Sequence, residues 1–575
     1  MSKLLVANEA YKLTLNYGVA EPKAPTYLVA GKNDSAAFQL ILSSENPYSV
    51  SIDTSEWFSS NAIPQYRRPH ERLRVAVESP FATELHLEEF VKDDNGVEKA
   101  DVLLNSSVRD SAPNVPSAVW VETHIPADAS AGDYKIKVRV YSSLYAEDET
   151  LVSETELTLT VYDVVIPDYK SWSFYLDLWQ HVSNVARHYD VPLFSDEHFA
   201  ILEKVAKSLA NLGQKSITVC VSEIPWSGQF CFDQIVHGGN MFEYSIVGIT
   251  RSKDGKYHYD YSKMQRYIDI CTEYGMSGDI EVFGLINLWI NDALGKVKVD
   301  YVEPIRLRYF DESDGKLKYV SEKCVVEDYI KSLEKYFTET NQLTRVRIAA
   351  DEPADMVKYR NSLETFRTIA PTFRFKTAIN HAEFIDEFGD VIDDFVPYLY
   401  CVCQKYDILK DYQKYLTGKR FLWYVCCGEG RPNTQYGQHL IESRMIGPMN
   451  RYLGFDGFLR WSYCIWPEDP RHEARYSRFE AGDTQLVYPA YNGDVLLSLR
   501  YKNLRRGIID HEILKMLDSA GQGELATNLV NSLILEHDHF KYYEKSYASL
   551  VGAHTHEWED FNNMKKTALK ALAES

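Results

Sequence analysis

Arg345-Val-Arg-Ile-Ala-Ala-Asp351-Glu352-Pro353 is the stretch that decides the fold of this 575-residue chain. Its apolar run is typical of a short buried strand, and Pro353 cannot donate to a sheet ladder, so we expect the strand to end there. Two carboxylates then stand at the carboxyl end of a buried strand, where barrel enzymes carry their catalytic groups. On this stretch alone the simpler interpretation is favoured, that Asp351 caps the following helix.

The composition is that of a globular protein with more than one domain. A chain of 575 residues exceeds a single core, and its net charge of −21 argues against nucleic acid or an anionic membrane as a partner. The first ten residues lack the apolar core of a signal peptide, and no run approaches the roughly 20 apolar residues of a membrane-spanning helix. We therefore expect a cytoplasmic location.

The nine cysteines are odd in number, and most lie in apolar runs without the spaced pairs of a zinc site. We expect reduced, buried, structural thiols at Cys220, Cys401, Cys403, Cys426, Cys427 and Cys464.

Residues 1–165 have the alternation of β-strands. Period-two segments include Ala37–Leu42, Ala118–Thr123 and Tyr134–Tyr141. Several short strands at this spacing predict a β-sandwich. Because no catalytic residue types are grouped there, we expect a supporting or carbohydrate-contacting role.

After a linker at Val164–Tyr169, the pattern changes to strands that alternate with helices, which indicates parallel βα units. The predicted helices include Glu197–Leu212, Tyr261–Tyr274, Val326–Thr338 and Met356–Ile369. Eight strands are predicted: Ser173–Leu178, Ser216–Val221, Asp279–Leu285, Val346–Ala350, Arg374–Ile379, Asp394–Leu399, Arg420–Val425 and Gly457–Tyr463. The pattern predicts a (β/α)8 TIM-type barrel over residues 168–512, followed by a C-terminal helical segment over residues 513–575.

Aromatic and polar side chains follow these strands at the end where the tips of a parallel barrel converge. Flat aromatic faces pack against a pyranose, while amides and acids hydrogen-bond its hydroxyls, so we expect a sugar pocket around Asp351 and Glu352. The candidate substrate-binding residues are Trp179, His181, Trp226, Asn287, Trp289, Asn380, His381, Tyr398, Trp423, Glu429, Trp461, Tyr463 and Trp466.

Adjacent carboxylates suit one particular glycosidase chemistry. Ordinary glycosidases bracket the anomeric carbon between two carboxyl groups at least about 5 Å apart, which sequence neighbours at a strand tip cannot easily do. Substrate assistance is the alternative: the sugar's own 2-acetamido oxygen attacks the anomeric carbon and forms an oxazoline. Glu352 is then the general acid/base, with a pKa raised by burial, and Asp351 holds the acetamido N–H. Tyr398 and Asn287 are candidates to complete the acetamido pocket.

Several short motifs are distributed along the predicted barrel: Asp177-Leu-Trp-Gln-His181, Ala186-Arg187, Ala350-Asp-Glu-Pro353, Gly457-Phe-Leu-Arg-Trp-Ser-Tyr463, Gly482-Asp483, Leu486-Val-Tyr-Pro489, Ser498-Leu-Arg500, Leu504-Arg-Arg-Gly507 and Asp510-His-Glu512. Together they resemble glycoside hydrolase family 123, over roughly residues 165 to 515. Members of that family are N-acetyl-β-galactosaminidases with an N-terminal β-sandwich and a (β/α)8 barrel, acting by substrate assistance through an Asp-Glu pair. The resemblance implies these roles for Asp351 and Glu352, and an oligosaccharide or glycoconjugate as substrate.

The predicted function is a retaining exo-glycosidase that removes β-linked N-acetylgalactosamine or a related 2-acetamido sugar, with no metal or cofactor. One alternative is a glycosidase of a non-acetamido sugar, with Glu223 or Glu429 as the partner carboxylate. Another is a non-catalytic carbohydrate-binding protein, in which Asp351 and Glu352 only cap a helix.

Two His-x-His pairs lie in the C-terminal segment, His537 with His539 and His554 with His556. Because acidic residues surround them on a predicted helical tail, we interpret all four as solvated residues rather than metal ligands.

Overall fold

The computed structural model describes residues 3–15, 22–52, 70–144, 149–225, 242–286, 305–428, 430–476, 479–548 and 552–575. Within these ranges no helix is long and apolar enough to cross a membrane.

The N-terminal region consists of two sheets with a shared apolar layer. One has the strand order β1-β3-β9-β6-β7 and the other β2-β11-β10-β5-β4-β8. Phe38 and Val121 of the first sheet join Val138 and Leu159 of the second in one buried cluster, as period-two alternation requires. The strands are β1 Lys3–Asn8, β2 Leu28–Lys32, β3 Asp34–Ser43, β4 Tyr48–Ser51, β5 Glu71–Glu78, β6 Thr83–Lys92, β7 Glu98–Leu103, β8 Val108–Ser111, β9 Ser117–Ile125, β10 Gly132–Leu144 and β11 Thr150–Val165.

The remaining strands have two to six residues each. They are β12 Tyr175–Leu178, β13 Ile217–Cys220, β14 Ile224–Pro225, β15 Phe242–Glu243, β16 Gly248–Arg251, β17 Tyr257–Asp260, β18 Ile280–Phe283, β19 Arg308–Asp311, β20 Lys316–Tyr319, β21 Val346–Asp351, β22 Arg374–Ile379, β23 Asp394–Pro397, β24 Arg420–Tyr424, β25 Gly457–Arg460, β26 Tyr488–Pro489 and β27 Val495–Leu496.

The eight predicted barrel strands form one parallel sheet in the order β12-β25-β24-β23-β22-β21-β18-β13. The residues just before β13 also contact β12, at the other end of the sheet. Leu176 bridges Gln214, and the backbone N–H of Lys215 donates to the Leu176 carbonyl over 2.9 Å. The Gln214 side chain accepts from the Leu178 N–H over 2.8 Å. The sheet is therefore curled, consistent with a barrel.

Helices pack around this sheet, and Met356–Ile369 has the predicted bounds. Helices α9 and α10 cross so closely that a Cβ at Gly507 would collide with the Arg444 carbonyl, which accounts for the glycine in Leu504-Arg-Arg-Gly507. The helices are α1 Val182–Tyr189, α2 Asp196–Asn211, α3 Ser262–Glu273, α4 Lys323–Glu339, α5 Met356–Ile369, α6 Glu383–Glu387, α7 Leu399–Gln404, α8 Tyr406–Tyr415, α9 Leu440–Leu453, α10 Leu499–Ser519, α11 Gly523–Asn531, α12 His539–Ala548 and α13 Trp558–Ala573.

Buried arginines of α10 join the N-terminal sheets to the rest of the chain. Arg500 Nε lies 2.9 Å from Asp101, and Arg506 lies 3.1 Å from Glu9 and 3.3 Å from Asp34. Removing one partner would leave a buried charge uncompensated, at a cost of about 3–5 kcal/mol. These motif arginines therefore have a structural role.

Candidate active site

A cavity of about 230 Å³ opens at the carboxyl ends of the parallel strands. Asp351 ends β21, Tyr424 ends β24, and Trp179 directly follows β12. The described residues that line it are Trp179, Asp351, Glu352, Ala378, Tyr424, Cys426, Cys427, Leu459, Trp461 and Phe479. The predicted carboxylate pair thus lies in a cavity with aromatic walls.

Asp351 and Glu352 both face this cavity although they are consecutive. In a regular strand, neighbouring side chains point to opposite faces. The strand ends at Asp351, and Glu352 adopts a left-handed backbone with φ of 44° while its N–H still donates to the Ala378 carbonyl over 3.0 Å. Such a conformation costs a residue with a side chain roughly 1–3 kcal/mol and is found preferentially at functional sites.

The carboxyl group of Glu352 is held at both oxygens. The Tyr424 hydroxyl donates to Oε1 over 2.5 Å, and Asn380 Nδ2 donates to Oε2 over 2.9 Å. Burial raises the pKa of Glu352, and the Tyr424 hydrogen bond and the interaction with His381 oppose that shift only in part. A carboxyl group held in this way is suited to give up a proton and take it back.

Helix α5 has a different capping residue from the one considered above. Asp355 is its N-cap, and Oδ1 accepts hydrogen bonds from the N–H groups of Val357 and Lys358, each over 3.0 Å. The interpretation of Asp351 as the helix cap is therefore wrong, and helix capping does not explain why Asp351 lies in the cavity wall.

Trp461 forms one wall and is fixed at two points. Its indole N–H donates to Asp483 Oδ2 over 3.2 Å, and His181 Nε2 lies 2.9 Å from its carbonyl oxygen. Asp483 also pairs with Arg460 over 2.6 Å, which explains the Gly482-Asp483 motif. Burial lowers the pKa of His181 to about 4, so its imidazole is neutral. His181 supports Trp461 and is not among the described residues that line the cavity.

The other aromatic walls are Trp179 and Phe479. The Trp179 ring packs edge-on against Phe283 with the centroids 4.7 Å apart, and Phe479 packs against Trp461 at 4.9 Å. Packed rings of this kind present a preformed apolar surface to the flat face of a sugar.

Three predicted aromatic residues lie away from the cavity. Trp423, Tyr463 and Trp466 are fully buried in the large apolar cluster between sheet and helices. Their polar atoms bond there: the Trp423 indole to Asn450 over 3.1 Å, the Tyr463 hydroxyl to Ser208 over 2.8 Å, and the Trp466 indole to Val487 O over 2.8 Å. Because side chains alternate along a strand, Trp423 points outward and Tyr424 points inward.

Asn380 reaches the site through Glu352, whereas Tyr398 and His381 do not line the cavity. The Tyr398 ring packs edge-on against Tyr424 at 5.2 Å, and its hydroxyl lies 3.3 Å from that of Tyr547. Glu223, the alternative partner acid, is buried and bound to Arg308 and, over 2.6 Å, to the Tyr319 hydroxyl. The predicted residues Trp226, Asn287, Trp289 and Glu429 lie outside the described residues.

Two cysteines correct the expectation of buried thiols. Cys220, Cys401, Cys403 and Cys464 are buried, whereas Cys427 is exposed and Cys426 is partly exposed. Their sulfur atoms lie 3.9 Å apart in the cavity wall. Strand β24 ends at Tyr424, so these two residues lie beyond the strand and are not buried with it, although the apolar run continues through them.

The comparisons with known proteins agree with this geometry. The family model for the glycoside hydrolase 123 catalytic domain matches residues 179–517, more than half of the chain. A family 123 glycoside hydrolase from Clostridium perfringens is 17% identical, with a TM-score of 0.75, over 100% of this chain and 98% of that one. A β-D-glucuronidase from Dictyoglomus thermophilum, 10% identical over 76% of this chain and 68% of that one, has a TM-score of only 0.29 and supports no conclusion. A search of curated proteins finds no match.

The matched residues contain both carboxylates and every described side chain of the cavity wall. The chain belongs to glycoside hydrolase family 123 and is a glycoside hydrolase.

Proposed function

We propose that this glycoside hydrolase removes a terminal β-linked N-acetylgalactosamine, or a related 2-acetamido sugar, with retention of configuration and by substrate assistance. One observation carries the proposal: of the described residues that line the cavity, only Asp351 and Glu352 carry carboxylates, and they are neighbours. Conventional glycosidases need two opposed carboxyl groups about 5–9.5 Å apart. A consecutive pair favours a nucleophile supplied by the substrate.

In the first step, Glu352 donates its proton to the glycosidic oxygen. The acetamido carbonyl oxygen attacks the anomeric carbon, the bond from that carbon to the glycosidic oxygen breaks, and the aglycone leaves as an alcohol. Asp351 accepts a hydrogen bond from the acetamido N–H and stabilises the positive charge that develops on the oxazolinium ring. The raised pKa of Glu352 favours the protonated form that this step requires.

In the second step, water attacks the anomeric carbon from the side that the aglycone left. Glu352, now a carboxylate, takes a proton from that water, and the bond to the oxazoline oxygen breaks. The free sugar is released with its original configuration. Both enzyme groups return to their starting protonation states.

The size of the cavity supports action on a chain end. Its volume of about 230 Å³ lies below the range of roughly 300–1,000 Å³ of sites for larger ligands, which favours a single sugar ring. The Clostridium perfringens relative is described in connection with glycolipid glycan hydrolysis. For this chain we propose an oligosaccharide or glycoconjugate with a terminal 2-acetamido sugar.

The organisation that goes with this function is an N-terminal β-sandwich and a (β/α)8 barrel whose carboxyl end holds the site. The limits 1–165, 168–512 and 513–575 stay a prediction of the domains, with α10 continuing across residue 512. The cytoplasmic location also stays a prediction.

The experiment is hydrolysis of aryl β-N-acetylgalactosaminide beside aryl β-galactoside by the wild type, Asp351→Asn and Glu352→Gln. We expect cleavage of the acetamido sugar alone, reduced about 10²–10⁴-fold in either variant. A wild type that cleaves the galactoside equally well would favour the non-acetamido alternative. Folded wild-type protein that cleaves neither sugar would contradict the proposed specificity.

A further inference from the structure

A second group of ionisable side chains lies outside the cavity, where the C-terminal segment meets α9. His554 and His556 belong to the loop before α13, and Glu442 belongs to the first turn of α9. His554 Nε2 lies 3.1 Å from Glu442 Oε2, and His556 Nε2 lies 2.6 Å from Oε1. The side chains of Glu442 and His554 are fully buried. The interpretation of these histidines as solvated residues on a helix is therefore wrong.

Two polar atoms of this group lack a hydrogen bond. Although Glu442 Oε1 and His556 Nε2 are only 2.6 Å apart, neither has a partner in hydrogen-bond geometry among the described residues. The contact between these two atoms is close but poorly oriented, and an ion that both atoms bind would give each of them a well-oriented bond.

The orientation of the His554 ring is fixed by a hydrogen bond at its other nitrogen. His554 Nδ1 lies 2.9 Å from the Tyr542 hydroxyl. When Nδ1–H donates to that hydroxyl, the lone pair of Nε2 is directed towards Glu442. This arrangement, in which the second ring nitrogen is fixed by a neighbour, is typical of metal-binding histidines.

We propose that Glu442, His554 and His556 bind a divalent transition-metal ion of the zinc class. One donor atom from each residue lies within 4.8 Å of the others. Bonds of about 2.0–2.1 Å in a tetrahedron place donors roughly 3.4 Å apart, so small side-chain shifts close the site. Two imidazoles and one carboxylate suit Zn²⁺ better than Mg²⁺ or Ca²⁺, which prefer oxygen ligands alone.

The charged groups around the site provide a way to distinguish a metal site from a set of ion pairs. Arg431 Nη1 lies 4.0 Å from Glu442 Oε1, and the His439 ring lies 5.1 Å from the His556 ring. The guanidinium competes with a metal ion for the Glu442 carboxylate. If the site binds a metal ion, removal of the Arg431 charge should strengthen that binding. If the site consists only of ion pairs, the same change would remove one of them and lower the stability of the fold.

The ion would have a structural role at this position. None of its three ligands is among the described residues that line the cavity. The C-terminal segment that the two histidines would attach to α9 also contains α12. The Tyr547 hydroxyl of α12 lies 3.3 Å from that of Tyr398. Tyr398 in turn packs against Tyr424, which binds Glu352. The metal would hold the C-terminal helices against the residues behind the active site.

The test uses the full-length protein after treatment with a chelator and removal of that chelator. Titration with Zn²⁺, followed by calorimetry and by melting temperature, should give one ion per chain and a higher melting temperature. We choose His556→Gln because its side chain is 18% exposed and the change should spare the fold. That variant should bind Zn²⁺ at least tenfold more weakly, and Arg431→Gln should bind it more tightly.

The matched control is the double variant His537→Gln/His539→Gln, which removes the other His-x-His pair and should bind Zn²⁺ like the wild type. Co²⁺ gives a second readout, since a tetrahedral site with two histidines produces visible absorption bands that His556→Gln should lose. The proposal fails if the wild type binds no ion, or if His556→Gln binds Zn²⁺ as tightly as the control.

Discussion

The hydroxyl of Tyr424 donates a 2.5 Å hydrogen bond to Oε1 of Glu352, and this contact lowers the pKa of an acid that burial raises. In the proposed mechanism Glu352 is the general acid while protonated, so activity should be present below its pKa and lost as the pH rises through it. Tyr424→Phe removes the donor that stabilises the carboxylate, and the pKa of Glu352 should rise further. We expect the basic limb of the kcat/KM profile to move to higher pH.

The control for this profile is Tyr398→Phe, which changes a neighbouring hydroxyl that has Tyr547 as its partner rather than Glu352. Its basic limb should stay in place. A Tyr424→Phe profile with an unmoved or lowered basic limb would show that the acid is not Glu352.

The backbone of Glu352 makes a prediction about stability that does not depend on its carboxyl group. At φ of 44°, alanine carries the steric cost of a Cβ and glycine does not. Glu352→Gly should therefore be more stable than Glu352→Ala by about 1 kcal/mol, although we expect neither variant to be active. Equal melting temperatures for the two variants would mean that this residue is not held in the left-handed conformation.

Trp461 and Trp466 should respond to the same substitution in opposite ways. Trp461 forms a cavity wall, so Trp461→Ala should lower kcat/KM about tenfold or more through loss of sugar packing, with a small change in melting temperature. Trp466 is fully buried, and Trp466→Ala should destabilise the fold by about 3–5 kcal/mol. Kinetics and thermal unfolding of both variants test this, and a stable, inactive Trp466→Ala would contradict the assignment.

Cys427 is an exposed thiol in the cavity wall, so alkylation by iodoacetamide should block the site. Cys427→Ser should resist this inactivation. Cys324→Ser, which removes an exposed thiol that does not line the cavity, should be inactivated at the wild-type rate. Equal rates for both variants would place the sensitive thiol elsewhere.

The sequence pattern predicted all eight parallel strands, because buried strands alternating with amphipathic helices are a local signal. It placed Asp351, Glu352, Trp179 and Trp461 at the strand ends, and the structure brings these four side chains together in one cavity. Which side chain at a strand end faces inward was harder to predict. The predicted strand Gly457–Tyr463 ends at Arg460, so alternation could not be followed to Tyr463.

The remaining differences come from contacts between residues distant in sequence. Tyr424 was missed because its neighbour Trp423 is the larger aromatic residue, and only the register of β24 shows which of them faces Glu352. His554 looked solvated among acidic neighbours, whereas its partner Glu442 lies on a helix more than a hundred residues earlier. No local period or composition indicates such a contact.

The most direct test of substrate assistance is the dependence of kcat/KM on the 2-acyl group. Aryl β-glycosides with N-acetyl, N-fluoroacetyl, N-difluoroacetyl and N-trifluoroacetyl groups carry progressively weaker acyl nucleophiles on an otherwise constant sugar. If the acetamido oxygen attacks the anomeric carbon, kcat/KM should fall steeply with each added fluorine. A rate that does not change across the series would contradict this mechanism and show that the nucleophile belongs to the protein or to water.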